Sequence, residues 1–178
     1  MAASLYSQSI PVLIKHMKNL SGYLTKGLAY AEQQKMKHEY MINYRLIHDM
    51  RGLAYQVQSC SNTAKFLPFR LGLVEKDTYF PDDESTFEEL QARITATIQL
   101  LESIDEKAMN ALEAKPVIMA TRTMGTYKFA SPQTYIADYA MPNFYFHVTS
   151  AYCILRTLGV PVSAFDFHGK STFVKVEE

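Results

Sequence analysis

The sequence predicts an all-α protein, a four-helix bundle with a crossover connection and one small β-hairpin between the third and fourth helices. Three observations lead there. Four long segments repeat apolar residues at intervals of three and four, the period of a helix with one face turned to an interior. Their ends carry the capping residues, glycines and prolines that stop and start helices. Between the third and fourth segments, over residues 116–129, the helical period lapses and strand-like runs flank a glycine.

The first helix is expected over residues 4–34, with Leu13, Met17, Leu20, Leu24 and Leu28 on one face and Pro11 in or near its first turn. Residues 35–48 have weak periodicity, with one short turn expected around Tyr40 and Met41. A second helix is expected from Asp49, a good N-cap residue, along the stripe Met50, Leu53, Val57, Cys60, Ala64, Leu67 and Leu71, with Pro68 bending or ending it. After an acidic loop over residues 78–84, Ser85-Thr86-Phe87-Glu88 reads as a capping box opening a third helix along Phe87, Leu90, Ile94, Ile98 and Leu101. An extra turn is expected at residues 105–111. The hairpin joins Val117-Ile118-Met119-Ala120 to Thr126-Tyr127-Lys128-Phe129 through a Gly125 turn. Ser131-Pro132 opens the last helix as N-cap and first helical residue, Pro142 kinks or restarts it before Asn143, and Leu158-Gly159-Val160-Pro161 ends it. The bundle domain is expected over residues 1–168, with a tail of no readable period at 169–178.

Composition narrows the classes of function. A chain of 178 residues that is 48% hydrophobic and 20% charged is long enough to bury a full core and has the make-up of an ordinary globular protein. Eighteen basic residues against eighteen acidic ones leave no broad electrostatic footprint for a nucleic acid. The same neutrality, together with 12 Tyr, 10 Phe and 9 Met, favours self-association, so a homodimer is expected. No apolar run is long enough to span a membrane, and the first ten residues lack the pattern of a secretory signal, so no membrane partner and a cytoplasmic location are expected. Cys60 and Cys153 fall in apolar surroundings, lack any CxxC spacing and are expected as buried thiols.

The residues that invite chemistry lie on the last helix. Its stripe is expected to run Ile136, Ala140, Asn143, His147, Ala151, Ile154 and Leu158, which sets an amide and an imidazole four apart on an apolar face. A buried polar group without a partner costs roughly 1–3 kcal/mol, so the pair calls for a hydrogen-bond network or a small-molecule site. His147 could ligate a divalent metal, act as a base or hold a core hydrogen bond, while the Asn143 amide is a weaker ligand. His48 and Asp49, at the expected start of the second helix, could approach His147 and orient it or complete a ligand set. His16, His38 and His168 have no partner at ligand spacing and are expected at the surface.

Asn143-Phe-Tyr-Phe-His147, followed by Ala151-Tyr152 and Ile154-Leu155-Arg156, with Asp49-Met50 upstream, resembles the DinB-like metalloenzyme superfamily, in a branch known as a domain of unknown function. The likeness runs from about residue 4 to residue 168. The resemblance implies a four-helix bundle with a crossover, often dimeric. In many members three histidines hold a metal, one from the start of helix two and an HxxxH pair on the last helix. Zinc, nickel, manganese and iron are the candidate ions, and the activities implied are thiol-dependent transfer or isomerisation of small molecules. Matched position by position, His147 takes the place of the second histidine of the pair, Asn143 stands where the first would be, and the helix-two position falls at His48 or Asp49. Two expectations of function follow: an enzyme using His147, Asp49 and Asn143, metal-assisted or not, and a non-catalytic binding or interaction protein that has lost the metal site.

Overall fold

The computed structural model describes residues 4–121 and 124–176. The four long helices are α1 (Ile10–Gln33), α3 (Leu53–Arg70), α4 (Phe87–Glu102) and α7 (Met141–Thr157), with short helices α2 (His38–Asn43), α5 (Glu106–Asn110), α6 (Pro132–Tyr135) and α8 (Ala164–His168) between and after them. Strands β1 (Val117–Thr121) and β2 (Gly125–Phe129) pair antiparallel, Val117 opposite Phe129 and Thr121 opposite Gly125. Around the bundle, α1 packs on α4 and α7, and α3 packs on the same two helices. Consecutive α1 and α3 therefore lie across a diagonal, and the stretch containing α2 is the crossover.

The apolar stripes supply the core. Leu13, Met17, Leu20 and Leu24 of α1, Leu53, Val57, Cys60, Ala64 and Leu67 of α3, and Phe87, Leu90, Ile94 and Leu101 of α4 are buried in one cluster. No helix among the described residues is long and apolar enough to cross a membrane.

Several element ends differ from expectation, each for a local reason. The first helix starts at Ile10, not residue 4, with Pro11 in its first turn, where a missing N–H leaves no bond unmade. Asp49 is not the cap of the second long helix: α3 begins at Leu53 with Gly52 in the N-cap position. A Cβ at residue 52 would lie 2.8 Å from the Asn43 carbonyl oxygen, so the end of α2 and the start of α3 approach more closely than a side chain permits. Residues 44–52 are consequently an irregular loop pinched at its neck. In α4 the capping box sits one residue later than expected. The Thr86 hydroxyl accepts from the Glu89 amide, and the Glu89 carboxylate accepts from the amides of both Thr86 and Ser85. Pro68 lies inside α3, which ends two residues later.

The last helix holds the difference that matters most. Ser131 and Pro132 start it as expected, the Ser131 hydroxyl accepting from the Thr134 amide. Ile136–Ala140 is then a π turn, its end marked by the Met141 amide bonding the Ile136 carbonyl, and α7 follows directly. Pro142 has no N–H, and in a regular α-helix its ring would press on the Asp138 carbonyl; the wider turn just before it relieves both. A π turn holds more residues per revolution, so the buried stripe slips by one position. It runs Ile136, Ala140, Phe144, Val148, Ala151 and Leu155, while Ile154 of the expected stripe stays buried beside Leu155. Asn143 and His147 move from the centre of the face to its half-buried edge. The helix ends in a Schellman motif, with the Val160 amide on Leu155 and the Gly159 amide on Arg156, Gly159 taking φ +94°.

Beyond Gly159 the chain has more structure than its lack of period suggested. Residues 160–168 cross α1, held by Lys26 on Asp166 at 2.7 Å and by the Asn19 amide donating to the Phe167 carbonyl at 2.8 Å. Ser163 and Asp166 form a capping box on α8. Residues 177 and 178 of the expected tail lie outside the described residues, as do Arg122 and Thr123 of the expected hairpin turn. Under this crossing segment lies His16. Expected at the surface, it is buried, with rings of Tyr145 and Phe167 against it at 5.1 and 5.5 Å. Cys60 is buried as expected, and burial pushes its thiol pKa up, whereas Cys153 is only half-buried.

A buried arginine fastens the acidic loop. Arg93 on α4, with a side chain 1% exposed, donates to Glu84 and Asp82, each at 2.7 Å, and to the Asn62 side-chain oxygen at 2.8 Å. Breaking a buried pair from one side leaves an uncompensated charge, at a cost of about 3–5 kcal/mol when both partners are buried. Because Asp82 is half exposed and can turn to water, Arg93→Leu is expected to cost less, about 2–3 kcal/mol, with Glu84 carrying most of the loss. Urea denaturation of the variant, and of Arg93→Leu combined with Glu84→Gln, checks this; the double variant is expected to recover part of the stability.

Candidate functional site

Helices α3 and α7 run antiparallel and are joined by a ladder of polar contacts. Gln56 meets His147, Cys60 meets the Phe144 carbonyl, Thr63 meets Asn143, and Arg70 of α3 donates to the Tyr135 hydroxyl on α6. On α3, Gln56 and Thr63 are seven residues apart, two turns along one line. On α7, Asn143 and His147 are four apart, and the π turn places that pair opposite the line.

The contacts define the protonation of His147. The Gln56 amide nitrogen donates to the Arg51 carbonyl at 3.0 Å, which turns its oxygen toward His147 Nδ1 at 2.8 Å. An amide oxygen only accepts, so Nδ1 carries the hydrogen and Nε2 carries the lone pair. Burial alone holds the imidazole pKa down to about 4, so the ring is neutral at physiological pH. Nε2 has no protein partner among the described residues and is not one of the sealed-off polar atoms of the core. Tyr55 and Phe146 flank the ring edge-on at 6.0 and 5.0 Å. Four residues earlier, the Asn143 amide donates to the Thr63 hydroxyl at 2.8 Å, and Thr63 passes the bond on to the Ser59 carbonyl at 2.8 Å. The Asn143 oxygen is left as a second neutral acceptor.

His48 and Asp49 are exposed in the loop over residues 44–52, and neither is hydrogen-bonded to His147 among the described residues. The α3 side chain that orients His147 is Gln56. Neither Gln56 nor Thr63 stood out in the sequence. Their signal was a heptad spacing of two polar residues beside an apolar stripe, which becomes visible only once α7 is known to face it. Among the described residues, no group of three or more His, Cys, Asp or Glu is placed to hold a metal ion. The donors that do converge are one imidazole nitrogen and neutral amide and hydroxyl groups. A tightly held zinc, nickel, manganese or iron ion requires more strong or anionic ligands, so this set does not fit one.

Two grooves lie on neighbouring faces of α7 and α3, and neither is lined by Gln56, Thr63, Asn143 or His147. One, of about 360 Å³, is lined by Leu46, Pro142, Tyr145, Phe146, Thr149, Ser150 and Cys153, and is mostly apolar. The other, of about 470 Å³, lies along α3 on the side of Tyr55, Ser59 and Asn62 and is polar.

This bundle, with its crossover and its α3–α7 seam, is a DinB-like fold. Residues 5–168 match the family described as Domain of unknown function (DUF1993), and the chain belongs to that family. It is also similar to a solved structure described as a DinB family member protein from Shewanella denitrificans. The two share 32% identity over 93% of this chain and 92% of that one, with a TM-score of 0.82. No curated protein matches the chain.

The depressed pKa of His147 makes stability depend on pH in a defined direction. The unfolded chain takes up the proton near the ordinary value of 6.5 and the folded chain only near 4, so stability is full above the first value and falls as pH drops toward the second. After allowance for the solvent that reaches the ring, the loss is expected to be about 1–2 kcal/mol from His147. His16, held down to about 4 chiefly by burial and then by Lys15 and His168, adds a parallel loss. Urea midpoints measured between pH 7 and pH 4.5 are expected to fall, and to fall less steeply in His147→Gln.

Proposed function

We propose that this chain is a binding protein that holds a small molecule at the α3–α7 seam through neutral acceptors, without a metal ion and without acid–base catalysis. The observation that carries this reading is the Arg51 carbonyl–Gln56–His147 relay. It fixes a neutral imidazole with its lone pair on Nε2, beside the Asn143 oxygen one helical turn away. Two acceptors so placed suit a ligand that presents a hydroxyl, amide or ammonium donor. The aromatic rings of Tyr55 and Phe146, and the apolar groove next to Phe146, suit a mostly apolar body.

Against general-base catalysis stands the pKa of about 4, far from the neutral value at which proton transfer is most efficient. A metal-assisted transferase or isomerase would have to be built on His147 as the single strong ligand of the seam.

Elemental analysis of purified untagged protein, with His147→Ala as control, tests the proposal directly. No stoichiometric zinc, nickel, manganese or iron is expected, nor a rise in thermal midpoint on adding these ions. Stoichiometric metal that disappears in the variant would overturn the reading and return thiol-transferase and isomerase assays to first place. In an NMR fragment screen, hits that shift the amides of residues 143–147 are expected to weaken at least tenfold in His147→Ala and Asn143→Ala.

A further inference from the structure

On the face of α3 that carries Tyr55, Ser59 and Asn62, beside the seam, lies the larger and more polar of the two grooves, of about 470 Å³. Its lining includes Arg45, Arg51, Tyr55, Ser59, Asn62 and Asp82. The volume is that of a small-molecule pocket rather than of a crevice for single waters. Its charges are unequally engaged. Asp82 is answered by Arg93 at 2.7 Å and by the Asn62 amide at 3.1 Å, so its carboxylate has partners of its own. Arg51 makes no ion pair among the described residues, and its guanidinium stands 5.6 Å from the centre of the Tyr55 ring. Arg45 donates to the His48 carbonyl at 3.3 Å and likewise has no carboxylate partner among the described residues. In a chain whose formal charge is zero, two unpaired guanidinium groups border one cavity.

The backbone at the same place has the same preference. Gly52 and Ala54 line the groove at the start of an 18-residue helix whose N-cap offers no side chain and whose first turn holds no acid. The free amides of that turn and the positive end of the helix dipole add to the field of the arginines.

We propose that this groove is a second binding site, centred on Arg45 and Arg51 and sharing only one side chain, the Tyr55 ring, with the seam, for a small organic molecule with an oxyanion head, a phosphate or a carboxylate. Arg51 and Arg45 grip the head, and the Tyr55 ring carries the body of the ligand. Guanidinium groups suit this task because their planar fork of donors matches both kinds of oxyanion.

Isothermal titration of the full chain with pyrophosphate and, separately, with citrate tests the site at low ionic strength. Saturable binding of at least one probe is expected, weakened at least tenfold in Arg51→Gln and at least threefold in Arg45→Gln, and unchanged in His147→Ala. Both arginines are exposed, so these variants are expected to keep the wild-type thermal midpoint, which serves as the folding control. Pyrophosphate alone would identify a phosphate ligand and citrate alone a carboxylate. Absence of saturable binding of either probe up to about 10 mM, where a Kd of even about 1 mM would show as saturation, would overturn the proposal. So would binding kept in both arginine variants, or binding lost in His147→Ala, which would move the ligand to the seam. Because His147 is changed in one arm and the arginines in the others, failure here leaves the proposed function of the seam standing, and the reverse also holds.

Discussion

The absent amide of Pro142 governs the functional half of this molecule. A regular α-helix through residue 142 would set the proline ring against the carbonyl of Asp138 and leave that carbonyl unbonded. The π turn over Ile136–Ala140 resolves the conflict without breaking the helix, and its consequence travels the length of α7. One extra residue in a turn rotates everything after it by roughly a quarter of a revolution or more. Phe144 and Val148 become the core residues, and Asn143 and His147 are carried to the boundary between core and solvent. There they can be hydrogen-bonded on one side and open on the other. At the centre of the face the same two side chains would have been sealed between apolar neighbours and able to act only as structural groups.

Which polar residues of α3 answer them follows from the same rotation. Gln56 and Thr63 flank the apolar stripe of α3 on the side facing α7, and each satisfies one side chain of the opposite pair. The other flank of α3 carries Gln58, Asn62 and Lys65, which engage Glu84 and Asp82 in the acidic loop and Asp77 just before it. One helix thus has an apolar face in the core, a neutral polar edge toward α7 and a charged edge toward the loop. Neutral pairs at the seam and donors facing carboxylates at the loop discourage any rotation of α3 about its axis, because each edge would find partners of the wrong kind.

Much of the fold was legible because it rests on local chemistry. The stripes of α1, α3 and α4, the Ser131-Pro132 start, the Gly159 stop and the hairpin are written in residue type and spacing, and they appear where those signals stand. What was not legible depends on contacts distant in sequence or on a conflict between two local rules. Gly52 displaced Asp49 as the start of α3 because the chain at Asn43 passes too close for a side chain, a fact about tertiary approach. The segment over residues 160–168 has no period because it crosses α1 as a strap anchored at Asn19 and Lys26 instead of presenting a face. His16 is buried by that strap. Pro142 marks an interruption in the sequence, yet an interruption can be met by a kink, a restart or a π turn, and here the π turn shifts the stripe. The candidate site was therefore half visible. His147 and Asn143 could be singled out, and their true partners could not.

The neutral character of those partners bears on what the seam can do. A carboxylate beside His147 would raise the imidazole pKa and favour the charged ring, and a metal at Nε2 would be helped by the same negative charge. Gln56 supplies the orientation without the charge. Its oxygen holds Nδ1–H in place, while burial keeps the ring unprotonated down to about pH 4. An imidazole so arranged offers a directional acceptor whose strength is constant across the physiological range. Constancy is of little use to a proton-transfer catalyst, which must change protonation state during turnover, and of much use to a site that recognises a donor group and lets it go unchanged. An uncharged amide as the orienting group is thus what the proposed recognition site calls for.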